Sequence, residues 1–158
     1  MAAPRGGEWI AEEMTALRSL GVDGLVSMLT AAEERELDLE DERRAAEDAG
    51  LRYYALPTRD RETPDEAKAV DLIRPLVDKL RAGAHVAIHC RAGIGRSSLL
   101  AASVLAVEGV PPAEAYRRIS AARHLAVPDT EAQRRFPSRW LSEAGIVGDP
   151  VRGDRDDA

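Results

Sequence analysis

The stretch His85-Val-Ala-Ile-His-Cys-Arg-Ala-Gly-Ile-Gly-Arg-Ser-Ser98 holds a strand, a loop and the start of a helix in one short run. Val86 and Ile88 mark the strand, Gly93 and Gly95 punctuate the loop, and an apolar helix opens near Arg96. Cys90, the only cysteine of the chain, stands where the strand ends. A group placed there faces the N-terminus of the next helix, where unpaired backbone N–H groups and the helix dipole favour an anion. Gly93 and Gly95 permit positive φ, so the amides of Arg91, Ala92, Gly93, Ile94, Gly95 and Arg96 can turn inward as an anion-binding nest. Surroundings of this kind lower a cysteine pKa from about 8.5 to about 3.5–7.5 and so give a thiolate at neutral pH. Arg96 offers a planar fork matched to two phosphate oxygens, and Ser97 can donate its hydroxyl to the sulfur. A buried, inert cysteine would explain neither the two glycines nor the Arg-Ser pair.

Outward from this stretch, strands and helices alternate. Trp9 to Leu20 carries Ile10, Met14, Leu17 and Leu20 at helical spacing and stops at Gly21. Gly24 to Leu29 predicts a buried strand. Thr30 then caps a charged helical region, with Glu33 completing a capping box; this region breaks near Leu37–Leu39 and ends at Gly50. Leu51 to Leu56 predicts a second strand. Thr63-Pro-Asp-Glu66 signals a helix start, with Thr63 as cap and the proline in the first turn, and that helix runs to about Gly83. After the His85–His89 strand come a helix from Arg96 to Glu108, another after Pro111-Pro112, and a last one from Asp129-Thr130 to Gly145. This order predicts a single α/β domain over residues 1–147, with a mostly parallel central sheet flanked by helices on both faces. Ligands of such sheets sit at the carboxyl ends of the strands, where Cys90 and the loop after Leu56 both lie. Residues 148–158 are polar and mixed in charge, which predicts a disordered tail.

The bulk properties narrow the function classes. The 158 residues suffice for one domain with a real core. A net charge of −6 argues against nucleic acid as partner, so phosphate affinity must come from arginines beside the loop. One cysteine excludes an internal disulfide framework or a thiolate metal cluster. His85 and His124 are too far apart and too poorly supported by carboxylates to suggest a metal site, and no cofactor is expected. No apolar run approaches membrane-spanning length, which predicts a cytoplasmic protein without membrane contact, and a monomer by default.

The context strand-His89-Cys90-x-x-Gly93-x-Gly95-Arg96-Ser97-helix resembles the signature of the cysteine-dependent protein tyrosine phosphatases, specifically their small dual-specificity-like branch. The resemblance spans roughly Arg5 to Leu141. It implies the α/β phosphatase fold and a protein tyrosine or dual-specificity phosphatase working through a phosphocysteine on Cys90. Related domains carry an extra strand before the first helix, which Met1 to Arg5 can hardly supply. The resemblance places the general acid in a segment like Pro-x-x-Asp-x-x-x-Pro, matched here by Pro57 to Pro64, and so implies Asp60. Asp60 must carry a proton when substrate binds. The family's Ile-Pro before that aspartate is Thr58-Arg59 here, and Asp65 instead suits the helix N-terminus.

Gln133 resembles the glutamine that orients the hydrolytic water, and equally suits the third position of a capping box begun by Thr130. His89 occupies the family position that orders the loop. Arg91 can extend the positive field toward substrate. Ile94 is apolar where lipid-phosphatase relatives carry a second basic residue, and Ser98 replaces a glycine. The implied substrate is a phosphoprotein or phosphopeptide, phosphotyrosine favoured, and the short connections argue against a deep tyrosine slot. Two other classes stay open: a catalytically weak phosphoresidue-binding module, and a loop-cysteine sulfurtransferase or arsenate reductase. The first would be expected to lose Cys90, Arg96 or the acid. The second normally needs further thiols, which the chain lacks.

Overall fold

The computed structural model describes residues 1–143. The expected helix end at Gly145 and the expected tail lie outside the described residues. Three strands form one parallel sheet in the order β2-β1-β3: β1 is Gly24–Ser27, β2 Arg52–Ala55 and β3 Val86–His89. Helices α1 (Ile10–Ser19), α2 (Ala31–Glu36), α3 (Glu42–Asp48), α4 (Glu66–Arg81), α5 (Arg96–Val107), α6 (Pro112–Arg123) and α7 (Glu131–Glu143) complete the α/β domain. Among the described residues no helix is long and apolar enough to cross a membrane.

The period-two alternation of the strands divides the core. Val26, Tyr54, Val86 and Ile88 face Ile73 and Leu76 of α4, Leu99 and Leu100 of α5, and Phe136 of α7. Leu25, Tyr53 and Ala87 face the other way, against Ile10 and Met14 of α1 and Ala46 of α3. Helices thus cover both sheet faces. α5 is buried nearly all round, because α6 packs Ala115 and Tyr116 against Ala102 on its outer side. The small residues Ala102, Ser103 and Ala106 let those neighbours approach closely.

Element boundaries differ from the sequence expectation in instructive places. The cap of α4 is Asp65, whose carboxylate accepts from the Lys68 amide at 3.0 Å; Thr63 and Pro64 lie before the helix. Asp65 stands immediately before the first helical residue, where a side-chain oxygen reaches the third amide of the helix. α4 also continues through Pro75, on its exposed side, where water can take the carbonyl that proline leaves unpaired. The charged region after Thr30 divides into α2 and α3, with Asp38 between them at φ 53°. Among the described residues no strand precedes α1. Met1 to Ala3 instead run beside the end of β3, the Cys90 amide donating to Met1 O (3.4 Å) and the Ala3 amide to Arg91 O (3.1 Å).

The order β2-β1-β3 makes the chain leave β1 for one side and return on the other. At this switch point the carboxyl ends of all three strands open onto one crevice. Thr30, Thr58–Asp60 and Cys90 all arise there.

Candidate active site

Cys90 directly follows β3 and is 2% exposed; its Sγ lies 3.5 Å from Ser97 Oγ on the first turn of α5 and donates to it as a thiol. Once the sulfur is ionised, the sense of this hydrogen bond reverses. The loop between them owes its shape to two glycines needed for different reasons. Gly93 has φ +71°, and a Cβ there would lie 2.3 Å from the Met1 carbonyl carbon. Gly95, expected to use positive φ, has φ −84° and caps α5 in the right-handed region. Its missing side chain matters sterically: a Cβ would stand 2.3 Å from Asp129 Oδ2 and 2.6 Å from Gln133 Oε1. Ile94 points into the cluster formed with Ala115, Tyr116 and Val127, so it anchors the loop to α6 and offers ligand its backbone. Arg123, at the end of α6, donates to Gly93 O at 2.7 Å and ties the loop from outside.

Arg96 is 2% exposed, and its guanidinium is extensively bonded. Nη1 and Nη2 each donate to an oxygen of Glu33 at 2.8 Å, a bidentate pair. Nη1 also donates to Thr58 O (2.8 Å), and Nη2 lies 3.3 Å from Asp60 Oδ1. Glu33 is the capping-box residue of α2, its Oε2 accepting from the Thr30 amide at 3.0 Å. Burial raises the Glu33 pKa, but the Arg96 pair and the Thr30 hydrogen bonds outweigh it and bring the carboxyl down to about 2. Burial likewise opposes the charge of Arg96, and Glu33 more than compensates, holding the guanidinium above its ordinary value. One carboxylate therefore caps a helix and fixes the arginine.

Asp60 sits on a turn with a largely exposed side chain. Its loop is tethered at both ends. The Thr58 amide donates to Met28 O, while Gln133 Nε2 donates to Glu62 O at 3.2 Å and Thr130 Oγ1 to Arg61 O at 3.4 Å. Gln133 is fully buried and forms a reciprocal capping box with Thr130 (3.2 and 3.3 Å), its amide resting against Gly95. Arg91 pairs with Glu36 and stands 3.5 Å from Glu33, so its charge is already answered by two carboxylates. Ala92 is exposed beside it.

Beneath the loop, His89 and Glu42 are both fully buried with Nε2 and Oε1 2.9 Å apart, and Glu42 Oε2 accepts from the Tyr53 hydroxyl at 3.0 Å. Burial and the nearby Glu42 raise the Tyr53 pKa and keep it a donor. Ser98 Oγ is buried without a partner among the described residues. Sequence reasoning brought Cys90, Arg96, Ser97, Asp60 and Gln133 to this crevice. It missed the parts played by Glu33 beyond its cap, by Thr58 O on Arg96 and by Asp129 against Gly95, and missed Glu42 and Arg123 altogether.

A thiol at a strand end, a glycine loop closing on a helix N-terminus and a buried arginine facing an aspartate thus share one crevice at the carboxyl end of the sheet. The family model described as "Tc-R-P: Polymorphic toxin system, DSP-PTPase phosphatase" matches residues 1–110, and the chain belongs to this family. It is a phosphatase of the dual-specificity type. Among curated proteins nothing matches the chain.

Solved structures share the fold. Kinase associated phosphatase, with serine in place of its catalytic-site cysteine, has a TM-score of 0.82 at 20% identity, covering 93% of this chain and 86% of that one. PTPMT1 in complex with PI(5)P has a TM-score of 0.69 at 22% identity, covering 90% and 91%. The human tyrosine phosphatase-like serine/threonine/tyrosine-interacting protein has 0.68 at 14%, covering 84% and 85%.

Proposed function

We propose that the chain hydrolyses phosphomonoesters of phosphoproteins, phosphotyrosine foremost, in two steps through a phosphocysteine on Cys90. The observation that carries this reading is the bonding of Arg96. Glu33 and Thr58 O occupy three of its five N–H groups. The Nε proton and the Nη2 proton nearest Asp60 remain for two phosphate oxygens. An entering phosphate dianion takes the place of the Asp60 carboxylate at Nη2. Asp60, now beside a dianion and no longer beside the guanidinium, takes up the proton that the leaving group needs.

Cys90 thiolate then attacks phosphorus in line. The P–O bond to the leaving oxygen breaks as Asp60 protonates that oxygen, and the amides from Arg91 to Arg96 with the Arg96 side chain hold the equatorial charge. In the second step water attacks the phosphocysteine, Asp60 accepts its proton, and the Cys90 sulfur leaves as a thiolate accepting from Ser97. Gln133 Oε1 retains a lone pair and Nε2 a proton beyond the capping contacts, which suits it to orient that water. The mouth of the crevice, between Thr30, Glu36, Arg59 and Arg91, is an open groove, which suits a phosphorylated side chain on a peptide. Anchoring of Ile94 against α6 removes it from the contacts a highly charged inositol headgroup would need.

Turnover of an aryl phosphate by the wild type and by Cys90→Ser tests the first step: the variant loses activity, and equal rates would remove Cys90 from the mechanism. For Asp60→Asn, a loss that grows as the leaving group becomes more basic supports acid catalysis, and an unaltered leaving-group dependence rejects it. Phosphotyrosine, phosphoserine and phosphoinositide substrates compared at equal concentration separate the substrate classes.

A further inference from the structure

At the opposite end of the sheet from Cys90, the feet of the strands and the end of α4 enclose a cavity of about 300 Å³. Its origin is a row of register. Arg52, Gly24 and Val86 are paired across the three strands and point to the face covered by α4 and α5. One row further along, Val26, Tyr54 and Ile88 are covered by Ile73 and Leu76. At the foot, however, Gly24 supplies no side chain, and the chain leaving α4 offers only Ala82 and Ala84 as cover. The hollow left between sheet and helix is walled by the Tyr54 ring and Val86. It lies about 13 Å from Cys90, four residues along a strand, and the phosphatase mechanism makes no use of it.

Two cations stand at its rim. Arg52 and Lys79 have no carboxylate partner among the described residues, although the chain carries a net charge of −6. The one carboxylate at the rim, Asp23, is already engaged: Oδ1 accepts from Arg18 at 2.7 Å and Oδ2 from the His85 amide at 3.0 Å. An apolar hollow of this size, with Arg52 and Lys79 among its lining residues, falls within the range of small-molecule sites.

We propose that this cavity binds a small organic anion with a flat apolar body, an aryl carboxylate in class. Its ring lies against Tyr54 and Val86 and its carboxylate between Arg52 and Lys79. Contact with the half-buried Tyr54 ring and pairing with the two cations supply the affinity.

An amide NMR titration of the full chain with naphthoate, alongside neutral naphthalenemethanol, tests this. Saturable shifts centred on the amides of Gly24, Ala82 and Ala84, with the alcohol binding at least about fivefold more weakly, are expected. Arg52→Ala and Lys79→Ala should each weaken naphthoate about fivefold. Ala84→Leu, which fills the hollow, should abolish binding while turnover of an aryl phosphate stays at the wild-type rate. Equal binding of the alcohol, shifts confined to Gly93 and Gly95, or unchanged affinity in both charge variants would overturn the proposal. Arg52 is exposed and Lys79 half-buried at the rim, outside the buried core, so these two variants decide the matter even if Ala84→Leu fails to fold.

Discussion

Replacing Glu33 by glutamine removes one charge and almost no volume, and the structure sets what that should cost. The carboxyl is held at about 2 against an ordinary 4.5. At about 1.36 kcal/mol per pH unit, that difference represents about 3 kcal/mol of folded-state stability. Glutamine still completes the capping box with Thr30 and can still accept from one Arg96 nitrogen, so the expected loss is about 2–3 kcal/mol, below the cost of about 3–5 for a wholly broken buried pair. For a chain of this length that lowers the melting temperature by about 5–10 °C. The sign with pH is fixed. A carboxylate whose folded pKa is depressed stabilises fully above the unfolded value of 4.5, and the contribution disappears as pH falls from there through about 2. Denaturant unfolding of wild type and Glu33→Gln across pH 7 to 3 should therefore show a gap that is widest at pH 7 and narrows below 4.5. The variant should also lose about tenfold or more in kcat/KM, because Arg96 is no longer fixed on its Glu33 edge. A gap that is absent at pH 7, or one that keeps its full width at pH 3, would refute the pairing.

Other positions give independent checks. Gly95→Ala would place a Cβ 2.3 Å from Asp129 Oδ2; the loop must shift, and kcat/KM should fall about a hundredfold while the α/β fold and its circular dichroism persist. Wild-type turnover in that variant would show that the loop tolerates a side chain there. Arg123→Ala removes the 2.7 Å bond to Gly93 O, and should cost about 1–2 kcal/mol in stability and raise KM for an aryl phosphate. An unchanged KM would mean that the loop holds its shape without α6.

Features encoded by neighbouring residues were legible in the sequence. The strand-helix alternation, the Cys90 loop, the Thr30–Glu33 capping box and the meeting of the Asp60 loop with Cys90 all follow from local patterns and one rule about parallel sheets. What stayed hidden depends on contacts made across the fold. Glu33 reads as a complete capping-box member, and nothing nearby reveals that the same carboxylate grips Arg96 63 positions away. Arg123 carries no local signal at all, being one of many arginines on an exposed-looking helix. The two loop glycines look alike in sequence, yet Gly93 needs a positive φ and lies against Met1, whereas Gly95, at negative φ, makes room for Asp129 and Gln133. Gln133 was readable both as a cap and as a site residue. The cap is formed, and its placement against Gly95 puts the same amide beside the loop. The charge of Arg91 looked available to substrate because Glu33 and Glu36, which answer it, lie on a helix more than fifty positions earlier.

Covalent phosphorylation of the Cys90 sulfur is the claim on which the mechanism rests, and rapid acid quench during turnover of an aryl phosphate, followed by peptide mass analysis, tests it most directly. One added phosphoryl group is expected on the peptide containing Cys90, and none in Cys90→Ser. Undiminished turnover with the phosphoryl group found on another residue would contradict it.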